Sequence, residues 1–227
     1  MASEAKYVVV TIDGPSGAGK TTVGKILAKR LNGYFLETGA VFRVMGKISL
    51  DNKMDLGKLE ERSKELISAT SAFFAHGFVS LDHYYGSEEI ALAASCIAVE
   101  AWARRFALGV QRKMVEEHKL IVASGRDAGS VIFPNAHIKF FLTASINARA
   151  KRRYMELCRV NKGVELKVVK EYLIKRDKSD ASREYGPLVI PEGAKVVDTT
   201  HSGAEKVAEI LYRLTMPRIQ HEVGMLF

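Results

Sequence analysis

The sequence predicts an α/β fold, a parallel sheet with helices packed on both faces, and three observations carry it. Short β-branched runs bounded by glycine and polar turns read as strands buried on both sides. They alternate with longer stretches whose apolar residues recur at helical spacing. No apolar run approaches the roughly 18 residues that a membrane span needs. A chain of 227 residues is long enough to bury a substantial core, as one large domain or a domain carrying an insertion.

Taken in order, the first strand is Tyr7-Val8-Val9-Val10-Thr11-Ile12. It runs into Gly14-Pro15-Ser16-Gly17-Ala18-Gly19-Lys20-Thr21, a full G-x-x-x-x-G-K-[ST] loop. Its four fixed positions arise by chance in roughly one chain of this length in a hundred, and the flanks lower that further. Val23, Ile26, Leu27 and Leu31 follow at helical spacing, with Lys25, Lys29 and Arg30 between them. The loop therefore sits at a strand-to-helix turn. There glycines let backbone N–H groups converge on phosphate oxygens, and the helix N-terminus adds partial positive charge. This is the signature of a P-loop NTPase core. Gly14 to Thr22 would cradle ATP, Lys20 would neutralise its β- and γ-phosphates, and the Thr21 hydroxyl would ligate Mg²⁺.

Tyr34-Phe35-Leu36 reads as the second strand, and Glu37-Thr38-Gly39-Ala40-Val41-Phe42-Arg43 as a ligand-facing loop at its C-terminal end. From 49 to 103 the character changes: charged helical sequence around Leu59, Leu66 and Ile67 gives way to aromatic and turn residues, then to the Ala-rich run from Ile90 to Ala103. We read 49–103 as a mostly helical insertion and residues 1–48 with 104–227 as the core. A long amphipathic helix runs to Glu117, and Leu120–Ser124, Ile138–Leu142 and Lys195–Asp198 are further strands. Ser145 is placed to cap the next helix, Glu171 to Asp180 forms another after a turn at Val160 to Val164, and Ser202-Gly203-Ala204-Glu205 is a capping box for the last.

The net charge of +8 calls for an anionic partner, either nucleic acid or two polyphosphates held at once. The arginines bear on the choice. Residues 149 to 183 hold about a third of the chain's 34 basic residues, among them Arg149, Arg152, Arg153, Arg176 and Arg183. Acids are mixed in, and there is no aromatic interleaving for base stacking. This stretch reads as a phosphate-clamping lid, bounded at about 156–187. Asn52-Lys53-Met54-Asp55 matches the guanine-reading N-K-x-D motif, but it lies too soon after the loop and opens the insertion. Cys96 and Cys158 fit reduced, buried thiols, and the six histidines show no metal-binding spacing. Met1 to Lys6 lack the apolar core of a signal peptide, so a cytoplasmic protein is expected.

The blocks Thr11 to Lys20, Thr38 to Arg43, Ala94-Ser95 with Arg104 and Gln111-Arg112, Gly125-Arg126-Asp127-Ala128-Gly129-Ser130-Val131-Ile132-Phe133-Pro134, Arg149 with Arg152-Arg153, and Lys175-Arg176-Asp177 through Asp180, Arg183 and Pro187-Leu188 together resemble the bacterial-type cytidylate kinases. The resemblance is collinear over most of the chain. It implies transfer of the ATP γ-phosphoryl group to CMP or dCMP, on a core with an inserted NMP-binding domain and a short lid. It implies that Ser95, Arg104 and Asp127 read cytosine, that Thr38, Arg43 and Arg126 line the CMP pocket, and that Asp180 meets the ribose. Arg176 and Arg183 become the lid arginines at the transferring phosphate, with Arg149 and Arg153 on the ATP side. The expected partners are CMP, dCMP and ATP with Mg²⁺, without nucleic acid or membrane, and the expected state is a monomer. Three positions depart from the family pattern: Gly86 and Ser179 where arginines are usual, and Phe42 in place of tyrosine. Two alternatives stand beside this reading: a same-fold kinase acting on another small acceptor, and a nucleic-acid-dependent NTPase.

Overall fold

The computed structural model describes residues 7–75, 87–116, 118–158 and 163–224. Gly86 and the turn at 160–162 lie outside the described residues. Contacts divide the chain into two compact units, residues 1–38 with 114–227 and residues 39–113.

The first unit is built on five parallel strands: β1 (Val8–Asp13), β2 (Tyr34–Glu37), β3 (Leu120–Gly125), β4 (Ile138–Thr143) and β5 (Lys195–Asp198), in the order β2-β3-β1-β4-β5. β1 is central and buried along its whole length, which explains its unbroken β-branched character. Because side chains alternate across a strand, Val8, Val10 and Ile12 enter one core with Val122, Phe140 and Leu142, while Thr11 and Asp13 point the other way. The first core is closed by α1 (Lys20–Arg30), through Val23, Leu27 and Ala28, and by α8 (Ala204–Gly224), through Val207, Ala208 and Leu211. In the same unit α6 (Ile146–Cys158) packs on α7 (Leu166–Ala181) through Ala150, Leu157, Val169 and Leu173. Ser145 caps α6 as expected, its hydroxyl accepting the Ala148 amide at 3.3 Å.

The second unit is helical: α2 (Ala40–Asp51), a 3₁₀ turn (Leu59–Arg62), α3 (Ser63–Ala75), α4 (Glu88–Ile97) and α5 (Ala101–Lys113). Its core joins Val41, Phe42, Met45, Met54, Leu66, Ile97 and Ala107. The unit extends beyond 49–103 at both ends, because α2 and α5 pack on its other helices. Residues 40–43, expected as loop, begin α2, since Ala40, Val41, Val44 and Met45 form one buried stripe. The Ala-rich run is broken between Ile97 and Ala101, and the helix expected to reach Glu117 ends at Lys113. Conversely, α7 starts at Leu166, five residues before the expected Glu171. In the N-K-x-D lookalike, Asn52 ends α2, Lys53 turns at φ 48° and Met54 is buried among apolar side chains. Among the described residues no helix is long and apolar enough to cross a membrane.

Candidate active site

The loop between β1 and α1 turns on three glycines with positive φ, Gly14 at 146°, Gly17 at 76° and Gly19 at 91°. At Gly14 any side chain is excluded, because a Cβ would stand 2.0 Å from the Leu142 carbonyl oxygen of the neighbouring strand. The cradle is thereby seated against β4. Pro15 and Ala18 are buried, Ser16 and Gly17 partly so. Lys20 opens α1 and folds back, its Nζ donating to the Pro15 carbonyl at 2.8 Å. Burial first, and the nearby Arg126 second, hold the Lys20 ammonium well below its usual range, against the pull of Asp180, Asp13 and Glu37. Thr21 beside it is half-buried and Thr22 exposed.

Arg149 of α6 braces this loop from behind. Nearly all of it is buried, and it donates to Ala144 O at 3.0 Å, to Ser16 O at 3.1 Å and to the Asp177 carboxylate of α7 at 2.5 Å. The other Asp177 oxygen accepts the Ser16 amide at 3.4 Å. Arg152, one turn on, donates to Thr199 Oγ1 at 3.0 Å and to Gly17 O at 3.5 Å, and Thr199 in turn donates to Ala18 O at 3.1 Å. Arg153 points elsewhere, to Glu156 at 3.2 Å on its own helix.

A second cationic group gathers on Asp180, near the C-terminal end of α7. Asp180 is 1% exposed, with Arg126 Nε at 2.8 Å on one oxygen and Arg183 on the other. Burial raises its pKa, but Arg126, Arg183 and Arg176 outweigh burial and hold the carboxyl below its usual range. Arg176 donates to the Tyr172 hydroxyl at 3.2 Å, and its Nε is buried without a hydrogen-bond partner. Arg126 and Asp127 follow β3 directly; Asp127 is buried and opens a π-helical turn, Ala128–Ile132. Thr38, also buried, donates from its hydroxyl to Ser124 O at 3.0 Å. Lys20, Arg126, Asp127, Asp180, Arg176 and Arg183 are therefore brought together at the C-terminal end of the sheet, where open α/β folds bind ligands.

In the helical unit, Arg104 of α5 donates from Nε to Ala98 O at 2.8 Å and lies over the Phe42 ring, 5.6 Å from its centroid. Phe42 thus supplies a face for the guanidinium where a hydroxyl is usual. Arg43 is on α2 and Ser95 on α4, both partly buried. The sequence assigns no individual role to Asp13, Asp177 or Arg152, which stand only inside the matching blocks, and does not single out Thr199. Only Arg152 left a usable signal, since it stands three residues from Arg149 on the same helix face.

The cytidylate kinase family model matches residues 10–216. A cytidylate kinase of Caldanaerobacter subterraneus subsp. tengcongensis is 40% identical over 223 residues, covering 95% of this chain and 98% of the relative. One from Thermosipho melanesiensis is 37% identical, covering 90% and 95%. A solved structure of an uncharacterized protein from Eubacterium ventriosum covers 91% of this chain and 97% of its own at a TM-score of 0.50 and 13% identity, a likeness of fold alone.

Proposed function

The chain belongs to the cytidylate kinase family, and on that premise we propose that it transfers the γ-phosphoryl group of ATP to CMP or dCMP, giving CDP or dCDP. The observation that carries this reading is the cluster of Lys20, Arg126, Arg176 and Arg183 on a single carboxylate, Asp180. Four cations converge where burial penalises charge, and two anionic nucleotides meeting end to end supply the balance.

The nucleophile is a CMP phosphate oxygen, ionised at neutral pH, so no side chain need act as a general base. The protein's task is alignment and charge neutralisation. Lys20 exchanges its bond to Pro15 O for the ATP phosphates, whose negative charge favours its ammonium form against the burial that opposes it. The unpartnered Nε of Arg176 is a donor that an incoming phosphate oxygen satisfies, and Arg183 shares the developing charge. Gly14 to Thr22 wrap the triphosphate, with Arg149 fixing the loop and Arg153, paired with Glu156 on α6, released to the ATP side. Asp127 accepts from the cytosine exocyclic amine and repels the carbonyl that uracil presents there. Thr38, Arg43, Ser95, Arg104, Arg126 and Asp180 complete the CMP side.

No group of three or more His, Cys, Asp or Glu among the described residues could cage a metal, and the half-buried Thr21 stands beside Lys20 at the start of α1. This donor set fits Mg²⁺, which takes most of its ligands from phosphate and water. Thr21 would hold the ion beside the cradle, where it would supply charge neutralisation to the ATP phosphates.

A coupled ADP-release assay with a panel of nucleoside monophosphates tests the reading. CMP and dCMP are expected to exceed AMP, GMP and UMP in kcat/KM; equal turnover across the panel would sink it. With small nucleotides as partners, added RNA or DNA should leave turnover unchanged. Elution near 25.1 kDa is the outcome expected of a monomer.

A further inference from the structure

Asp13 ends β1 with both carboxylate oxygens committed. Oδ1 accepts the Ala128 amide and Oδ2 the Gly129 amide, each at 2.7 Å, and the side chain is fully buried. Those amides are the first two of the π-helical turn Ala128–Ile132, which Asp127 opens. π turns are rare and concentrate at functional sites. An aspartate in the opening position ordinarily caps its own turn, its carboxylate taking an N–H two or three residues on. Asp127 makes no such bond; its backbone sits at φ −140°, ψ 20°. The cap comes instead from Asp13, 115 positions before Ala128.

The turn is also pressed onto β1. A Cβ at Gly129 would lie 2.6 Å from Thr11 Oγ1 and 3.1 Å from Asp13 Oδ2. Inside the turn, the Asp127 carbonyl accepts the Val131 and Ile132 amides at 2.9 and 3.1 Å. Burial, and then the charge of Asp127, push the Asp13 carboxyl up, while the two amides pull it down. A second buried carboxylate beside Asp127 thus costs stability.

We propose that Asp13 is a positioning residue for CMP recognition: by capping the turn that Asp127 opens, it keeps the Asp127 carboxylate out of that turn's own hydrogen bonding and fixes the backbone that aims it. The proposal rests on the reading of Asp127 as the residue that selects cytosine. Asp13 touches neither base nor phosphate in this role and acts only through the Ala128 and Gly129 amides.

The test is steady-state kinetics of Asp13→Asn beside Asp127→Asn, with CMP, UMP and ATP each varied. Asparagine keeps the shape and one acceptor but turns an NH₂ toward the second amide. KM for CMP should rise about tenfold and the CMP-over-UMP preference should fall about as much, while KM for ATP moves less than about threefold. Equal losses with CMP and UMP, or an equal loss in KM for ATP, overturn the proposal, because Asp13 would then hold the fold or the phosphate loop. If Asp127→Asn erases the preference and Asp13→Asn keeps it, the proposal fails and the reading of Asp127 survives. If Asp127→Asn leaves the preference intact, both fail. Should Asp13→Asn not fold, amide hydrogen exchange of the wild-type protein decides: protection of Ala128 and Gly129 before any nucleotide is added supports a pre-built cap, and exchange at the unprotected rate overturns it.

Discussion

Replacing Asp180 by Asn should show how strongly one carboxylate holds the cationic site together. Asp180 is 1% exposed, and its Arg126 and Arg183 partners are 19% and 6% exposed at the side chain. At an effective dielectric of about 20, each pair attracts by roughly 4 kcal/mol, offset by several kcal/mol of desolvation. The net worth of the triad is therefore small, but breaking it is not. Asparagine keeps the shape and leaves two adjacent guanidiniums uncompensated in a buried setting, which costs about 3–5 kcal/mol. For a chain of this size each kcal/mol lowers Tm by about 2–4 °C, so a fall on the order of 10 °C is expected. The carboxyl's pKa is held below 3.8, so its stabilisation is present above that pH and lost only as pH falls through the folded value; an assay at pH 7.5 sees all of it. Differential scanning fluorimetry with and without CMP, beside the ADP-release assay, reads the outcome. A bound phosphate substitutes for the lost carboxylate, so CMP should restore Tm more in the variant than in the wild type, while kcat falls about a hundredfold. A variant melting within about 2 °C of wild type, with no larger gain from CMP, would refute the reasoning.

Three further outcomes are expected. Asp13 has its pKa raised to about 6 from 3.8, so folding binds a proton and Asp13's contribution to stability falls as pH rises between those values, by about 3 kcal/mol in all. Urea melts should therefore show Asp13→Asn gaining on the wild type from pH 4 to 6.5, and a pH-independent difference would contradict this. Lys20→Met should abolish turnover by about a hundredfold or more while leaving Tm equal or higher, because burial and Arg126 both oppose the ammonium; a clear loss of Tm would show that Lys20 holds the apo loop. Gly14→Ala forces a Cβ to 2.0 Å from the Leu142 carbonyl and should cost several kcal/mol in chemical melts, whereas a wild-type melt would mean that the loop does not approach β4 this closely.

What was legible in the sequence was what is local. β1, the glycine loop and α1 form one continuous signal, because burial on both faces leaves a strand that is β-branched from Val8 to Ile12 and the loop's geometry admits few residues. The misreading of residues 40–43 has a physical source as well. Glu37, Thr38 and Gly39 carry turn chemistry, and it masks the helical spacing that begins directly after them at Ala40, Val41, Val44 and Met45. The Arg183–Asp180 pair is three residues apart on one chain segment and could be seen; its companion Arg126 lies 54 positions away and could not.

The acids resisted reading for a deeper reason. Asp13 finds its amides 115 positions on, and Asp177 reaches the Ser16 amide across 161. Such pairings depend on strand register and helix placement, which no local pattern encodes. A cationic stretch betrays itself by composition, since many arginines must be balanced by something. A carboxylate that holds one arginine or one turn in place adds nothing unusual to composition. Asp177 illustrates the consequence: it lies between Arg149 and a phosphate-loop amide and ties the cradle to α6 and α7. Both contacts span large sequence separations, so nothing short of the folded structure distinguishes this carboxylate from the other acids scattered along the lid.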